Sequence, residues 1–289
     1  MTIAIFGNLL KPEMESEVEH LLELLQLRGV HVVLSEELRQ STKFRSYPQF
    51  ATEMTDAESG NSEDMIEFAI SLGGDGTFLT TASQIGNTNI PILGINLGHL
   101  GFLAEVQTEE EDAIIDRLIR GQYTIEQRSL LNVSCSADGH IAYPNALNEV
   151  AIMKYGLSSM ISIDMQLNGD FIHRYEADGL LVATPTGSTA YNMSVGGPLM
   201  VPQARATILA PIASHRLSIR PLVIPDDWKI DLKVKSRTGS FLISIDGRSQ
   251  VLSHDVKLHI EKSPYTIKLI QVEGTSFFQS LKQKLNWGI

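Results

Sequence analysis

The stretch Ser71-Leu72-Gly73-Gly74-Asp75-Gly76-Thr77-Phe78-Leu79 constrains the fold more than any other in the chain. An apolar, strand-like run from Met65 to Leu72 ends there in three glycines around one acid. Glycine permits positive φ and lets backbone N–H groups come close to a ligand. Thr77 is a candidate cap for a following helix, whose N-terminal end favours phosphate. Gly73, Gly74 and Thr77 are therefore read as phosphate-proximal, and Asp75 as the one carboxylate held at the turn. Gly-Asp-Gly also builds ordinary tight turns. So dense a group directly after a buried-looking strand favours phosphate chemistry over a plain turn.

The residues before this turn set its surroundings. Ile3–Phe6 is a short β run followed by Gly7, and Val30–Leu34 is a second strand. Between them Val18, Leu21, Leu22, Leu24 and Leu25 recur at helical spacing over 13–27, and Gly29 ends the helix. A β-α-β start predicts a parallel sheet with Rossmann-like winding. No Gly-x-Gly-x-x-Gly follows the first strand, so an ordinary dinucleotide fold is not supported at that point. The polar stretch 35–64, with Gly60-Asn61 as a turn signal, reads as a long surface connection. After the Asp75 turn come a helix through Ser83 and a strand over 91–96, which opens a second glycine-rich turn at Gly94, Gly98 and Gly101.

Beyond Gly101 the pattern changes. Residues 108–121 read as a helix with Thr108 as candidate cap and Ile114, Ile115, Leu118 and Ile119 inward. Short alternating runs then dominate: 131–134, 146–153, 162–167, 180–184, 232–234, 242–245, 257–260 and 265–270. Turns at Asp138-Gly139, Asn168-Gly169 and Asp246-Gly247 punctuate them at hairpin intervals. A last helix is expected over 275–285. The expected architecture is an α/β Rossmann-like N-terminal domain over 1–122, a β-rich (all-β) domain over 123–270, and a C-terminal helix over 271–289 returning to the first domain.

Composition narrows the partners. A formal charge of −11 over 289 residues works against unspecific binding to nucleic acid or to anionic lipid. No apolar run approaches the roughly 18 residues a membrane span needs. The N-terminus has no basic leader, and Cys135 is the one cysteine, so a cytoplasmic location is expected. No histidine pair has metal-motif spacing, and no metal site built from protein side chains is expected. Charges at 231–235 and 282–284 read as solvated.

Two further constellations carry chemistry. From Asp178-Gly179 an apolar strand runs into Thr184-Pro185-Thr186-Gly187-Ser188-Thr189-Ala190-Tyr191-Asn192-Met193-Ser194, and then Gly196-Gly197-Pro198. That run offers amides, hydroxyls and one ring for stacking on a base. Any single hydroxyl in it reads better as part of a Ser/Thr-rich hairpin; the whole run, so dense in Gly, Thr and Ser, reads as a ligand-lining loop. Asn148-Glu149 interrupts the apolar run 146–153; a carboxylate beside an amide can grip ribose hydroxyls, and the pair taken alone reads equally well as an edge strand with one solvated residue. Ser188 lacks the Gly-x-Ser-x-Gly setting of a serine hydrolase.

Taken together, these motifs resemble the NAD kinase family, as do His215–Val223 and the terminal Lys284-Leu285-Asn286-Trp287. Gly-Gly-Asp-Gly-Thr alone is shared with diacylglycerol and sphingosine kinases; the Thr184–Tyr191 block is far more specific. The resemblance implies Mg²⁺-dependent phosphoryl transfer from ATP, another nucleoside triphosphate or polyphosphate to the 2′-hydroxyl of the adenosine ribose of NAD, with NADP as product. It implies Asp75 as general base and candidate metal contact. It also implies NAD binding by Asp75, Gly76, Asn148, Glu149, Asp178, Thr186, Thr189, Ala190, Tyr191, Asn192 and Ser194, and a homodimer or homotetramer. Departures are the turn Gly7-Asn8-Leu9-Leu10-Lys11-Pro12, Val201-Pro202 where His-Pro is frequent, and Arg248 where Gln often follows Asp-Gly. Arg174 is the candidate for the basic residue before Asp178, at a longer spacing than the family's.

Overall fold

A computed structural model describes residues 1–51, 65–98, 101–136, 139–156, 160–216, 218–272 and 276–288. Gly60, Asn61, His99, Leu100, Asp138, Leu217 and Thr275, part of the segments read above, lie outside the described residues. The chain forms two compact units, Met1–Gln127 with Ile267–Ile289, and Arg128–Thr266.

The first unit contains, in chain order, β1 (Thr2–Gly7), α1 (Met14–Leu27), β2 (His31–Leu34), α2 (Glu36–Arg39), β3 (Ile66–Leu72), α3 (Asp75–Ile85), β4 (Ile92–Asn96), β5 (Val106–Gln107) and α4 (Glu111–Ile119). Strands β2, β1, β3 and β4 lie side by side in that order and all run parallel. Every residue of β1 is buried, as expected for a parallel strand covered on both faces. Met14, Val18, Leu21, Leu22 and Leu25 of α1 form the apolar stripe that packs into this core.

Parts of the local reading are corrected here. Residues 35–51 are more than a surface connection: Ser35 caps α2, and Leu38 and Phe44 are buried in the core. Thr77 is not a cap, because Gly74 is the N-cap of α3 and Thr77 lies inside the first turn. Its side chain instead fills the space beside Gly73, which has φ +144° and no room for a β-carbon. Thr108 begins a 3₁₀ turn rather than capping α4.

The chain continues with β6 (Thr124–Cys135), β7 (Asn145–Ala146), β8 (Glu149–Lys154), β9 (Ile161–Leu167), β10 (Asp170–Ala177), β11 (Gly179–Ala183), α5 (Tyr191–Ser194), β12 (Ala206–Ile212), β13 (Leu222–Pro225), β14 (Ile230–Lys235), β15 (Ser240–Ile245), β16 (Arg248–Ser253), β17 (Lys257–Gln271) and α6 (Phe277–Leu285). Within the second unit one antiparallel sheet has the order β13-β12-β11-β8-β15-β16, and β10-β9-β14-β17 forms another antiparallel set. Inward residues of both, among them Val150, Ile152, Val182, Ile163, Met165 and Ile243, make one apolar core. The hairpin turns at Asn168-Gly169 and Asp246-Gly247 have positive φ at both residues, as two-residue hairpins require.

The apolar run 146–153 is broken at Leu147-Asn148 into β7 and β8, and the two runs 257–260 and 265–270 are one strand, β17. Strands β10, β12, β13 and β16 had no clear signal in the pattern. Three of these lie outermost in the order, with a partner strand on one flank only among the described residues, where alternation is weak. The final helix α6 belongs to the first unit.

Candidate active site

In the first unit the two glycine turns form one structure. Asp75 begins α3, and its carboxylate accepts three successive backbone N–H groups: Phe102 on Oδ2 at 2.9 Å, and Leu103 and Ala104 on Oδ1 at 3.0 and 3.2 Å. A β-carbon at Gly101 would overlap Asp75 Oδ1. One at Gly94 would lie 2.7 Å from both Ala104 Cα and the Leu103 carbonyl oxygen. Both glycines are therefore required by close approach, so that 101–104 can lie against β4 and over the acid.

Lys284 of α6 completes the group. Its Nζ is 3.9 Å from Asp75 Oδ2 and 4.6 Å from the centre of the Phe102 ring. The charges at 282–284 were expected to be merely solvated; Lys284 instead faces the candidate base. A cavity of about 190 Å³ lies beside this turn, lined among others by Gly7, Asn8, Ser35, Gly76, Thr77 and Thr80. These residues follow the carboxyl ends of β1, β2 and β3, and β1/β3 is where the winding direction reverses, the usual ligand position in open α/β sheets.

In the second unit a second carboxylate organises the other motifs. Asp246 Oδ2 accepts the N–H of Leu147 at 2.7 Å, and Oδ1 those of Asn148 and Glu149 at 2.9 and 3.1 Å. These bonds draw 147–149 away from strand pairing and explain the break between β7 and β8. The Asp246 side chain is only 2 % exposed, and burial pushes its carboxyl above the usual range against the three N–H groups. Arg248 Nη2 lies 3.8 Å from Asp246 Oδ2, and the guanidinium sits 5.0 Å from the centre of the Tyr143 ring.

Glu149 is pushed up to about 7, chiefly by burial and next by the nearby Asp246 charge, while an N–H donated by Tyr191 acts in the opposite direction. The Asn148-Glu149 pair and the hydroxyl-rich loop are thus in contact. Thr184 fixes them from below: its N–H donates to the Asn148 carbonyl at 2.9 Å and its Oγ1 to the Leu147 carbonyl at 2.5 Å. A β-carbon at Gly187 would overlap the Asn148 carbonyl oxygen.

Not every candidate in that loop is presented to a ligand. Asn192 is fully buried, and its amide donates to the Ser188 and Pro198 carbonyls at 3.2 and 3.0 Å. Thr186 is buried with Arg128 Nη1 at 3.4 Å, and Thr189 Oγ1 donates to the Thr186 carbonyl at 3.3 Å. Asn148 is 8 % exposed, whereas Tyr191 and Ser194 are exposed and Ala190 is half-buried. Asp178 pairs with Lys154 at 2.8 Å. Arg174 does not serve Asp178; it forms a two-pronged pair with Asp164. A larger cavity of about 550 Å³, bordered by Lys233, Lys235, Arg237 and His254, contains none of the sequence candidates.

The family model for the ATP-NAD kinase N-terminal domain matches residues 3–123, and that for the ATP-NAD kinase C-terminal domain matches residues 147–272. The chain belongs to the NAD kinase family. It is 43% identical to an NAD kinase of Bacteroides fragilis over 289 residues, covering 100% of this chain and 98% of that one. An NAD kinase of Porphyromonas gingivalis is 42% identical, with 99% and 98% covered. Among solved structures, an Archaeoglobus fulgidus NAD kinase in complex with ATP is similar at TM-score 0.75 and 27% identity, with 99% of each chain covered. Yeast NADH kinase complexed with NADH shares the fold at TM-score 0.85, with 24% identity and 100% and 88% covered.

Two residues of this NAD kinase family member were not anticipated as parts of these clusters. Asp246 reads in sequence as half of a hairpin turn, and its φ of +47° is what that turn requires, so nothing local marks the three amides it holds. Lys284 stands in the terminal motif that the family resemblance already included, but a lysine on an exposed helical stretch carries no signal of where its ammonium reaches.

Proposed function

We propose that the protein transfers the γ-phosphoryl group of ATP to the 2′-hydroxyl of the adenosine ribose of NAD, giving NADP and ADP. Asp75 takes the hydroxyl proton. The observation that carries this role is the state of its carboxylate: Oδ1 already accepts two N–H groups and Oδ2 one. A carboxylate has about four lone-pair positions, so one remains, on Oδ2, for a hydroxyl. The three amides fix its direction, and positioning is most of what phosphoryl transfer asks of a protein.

Phosphate binding is assigned to Gly73, Gly74 and Thr77, supported by the adjoining cavity and the α3 N-terminus. Asn148, Glu149, Asp178, Tyr191 and Ser194 are assigned to NAD, with Gly76, Thr186, Thr189 and Ala190 shaping their surroundings. Asn192 is retained as a residue that holds the loop rather than one that touches ligand. Strand order β2-β1-β3-β4 supports reading the first unit as Rossmann-like.

Mg²⁺ fits here as an ion carried by the nucleotide. Among the described residues no group of three His, Cys, Asp or Glu side chains forms a cage, and Mg²⁺ is commonly held by substrate phosphates and waters. Bound in that way it would neutralise phosphate charge. The single open position on Asp75 Oδ2 is then kept for the hydroxyl. A homodimer or homotetramer is favoured by Phe171 and Ile172 on outermost strand β10 and Leu222 and Val223 on β13, all exposed. A cytoplasmic location is part of this reading, and the charge of −11 supports the absence of nucleic-acid and membrane partners.

The test is incubation with NAD, ATP and Mg²⁺ and an assay for NADP. Absence of NADP with ATP, GTP and polyphosphate alike overturns the function. Asp75→Asn is expected to retain NAD binding and to lose about 10²–10⁴-fold in kcat; unchanged turnover removes Asp75 from the role of base.

A further inference from the structure

The ammonium beside Asp75 has no part in the chemistry described so far. Four contacts hold the helix that carries it. Ser276 caps α6 by accepting the Gln279 N–H at 3.2 Å, and Ser280 Oγ donates to Glu105 Oε1 at 3.3 Å. Leu281 is buried, and the rings of Phe277 and Phe102 lie 6.3 Å apart. Lys284 is thus delivered on a docked helix to a loop whose own amides grip the acid, and its side chain is 27 % exposed.

At 3.9 Å the contact with Oδ2 is an ion pair and too long for a hydrogen bond. The ammonium has three donors, and among the described residues it also faces the Phe102 ring, which attracts charge without accepting a directed hydrogen bond as an oxygen does. Oδ2 is also the oxygen that has a lone-pair position left. A hydroxyl bonded there at about 2.7 Å would lie no more than about 7 Å from Nζ.

We infer that Lys284 is a further catalytic residue, which pairs with the phosphoryl group as that group moves onto the ribose oxygen. This rests on the reading of Asp75 as base. As the hydroxyl oxygen attacks the γ-phosphorus, the bond from that phosphorus to the β-bridging oxygen breaks and ADP leaves. The hydroxyl proton passes to Asp75 and later to solvent. Protonation neutralises the carboxylate and removes the charge Lys284 was paired with, at the moment a phosphoryl group bearing negative charge arrives next to it. The ammonium exchanges one anion for another. Since the second pairing exists only once transfer is under way, it lowers the barrier rather than tightening the ground state.

The measurement is steady-state kinetics of Lys284→Met and Lys284→Arg beside the parent protein, with thermal midpoints for each. Lys284→Met is expected to lose about 10²-fold in kcat, with the KM for NAD within about twofold and the midpoint little changed. Lys284→Arg is expected to restore most of the loss. Lys284→Gln, polar and uncharged, gives the same reading if the methionine variant does not fold. Unchanged kcat in the uncharged variants overturns the inference. So does a loss that arginine does not rescue and that follows the thermal midpoint, since the ion pair would then merely tether α6. A parent that makes no NADP overturns the proposed function itself, and an Asp75→Asn variant with parental turnover overturns the base role. Both are read separately from the lysine variants.

Discussion

Two aspartates in this molecule perform the same act of hydrogen bonding, and only one is suited to chemistry. Asp75 collects the amides of Phe102, Leu103 and Ala104; Asp246 collects those of Leu147, Asn148 and Glu149. Each carboxylate spends one oxygen on two N–H groups and the other on one. The surroundings differ. Asp75 is 32 % exposed, with a lysine ammonium beside its remaining lone pair, whereas Asp246 is 2 % exposed and enclosed by the segment it organises. A clasp that keeps one position open to solvent can serve a substrate. A clasp sealed from solvent can only hold the backbone.

The comparison breaks most readily on stability. Asp246→Ala removes a carboxylate that is 2 % exposed from the three amides it holds, and is expected to cost roughly 3 kcal/mol or more by urea unfolding, and to weaken NAD binding with it. Asp75→Ala removes a carboxylate that is 32 % exposed and is expected to cost about 1–2 kcal/mol while losing turnover. Equal losses for the two variants would show that burial does not separate them.

The charge next to each clasp gives a second test. Asp75 has a cation as neighbour; Asp246 has Glu149, whose carboxyl is raised to about 7. The folded protein then holds this proton more tightly than the unfolded chain, which releases it near the ordinary value of about 4.3. Folding stability gains the full benefit below pH 4 or so, and loses it as pH rises from about 4.3 through about 7. The total change is at most about 4 kcal/mol. Unfolding midpoints at pH 5 and pH 8 are expected to differ more for the parent than for Glu149→Gln. An identical difference in both would remove Glu149 as the source.

The smallest expected effects come from the glycines packed at each place. A β-carbon at Gly187 would overlap a backbone oxygen, which cannot swing aside, so Gly187→Ala is expected to cost about 1–3 kcal/mol. At Gly101 the first obstacle is the end of the Asp75 side chain, which can rotate away. Gly101→Ala is expected to cost less than Gly187→Ala in stability and more in kcat. The reverse order would mean that the segment 101–104, rather than the acid, is the rigid partner.

Much of the local structure was legible because it depends on neighbours in sequence. Val18, Leu21, Leu22 and Leu25 of the expected stripe are buried in α1, with Leu24 only partly buried and Met14 added by the structure, and Asn168-Gly169 and Asp246-Gly247 favour positive φ. The outer strands β10, β13 and β16 were not legible, since a strand paired on one side needs little apolar patterning. Packing also overrode polarity where Leu38 and Phe44 pulled part of a polar connection into the core.

By itself, the sequence determined the glycine-acid turn after β3, the hydroxyl-rich loop after β11 and the alternation between an α/β and a β-rich half. These are short-range patterns, fixed by φ preferences and by side-chain periodicity. Tertiary structure alone decided which backbone amides each aspartate would hold, separated from it by 27 to 29 residues in one case and 97 to 99 in the other. It alone brought Lys284 to Asp75. A carboxylate accepts any N–H that reaches it, and which ones do so depends on how the strands and helices pack.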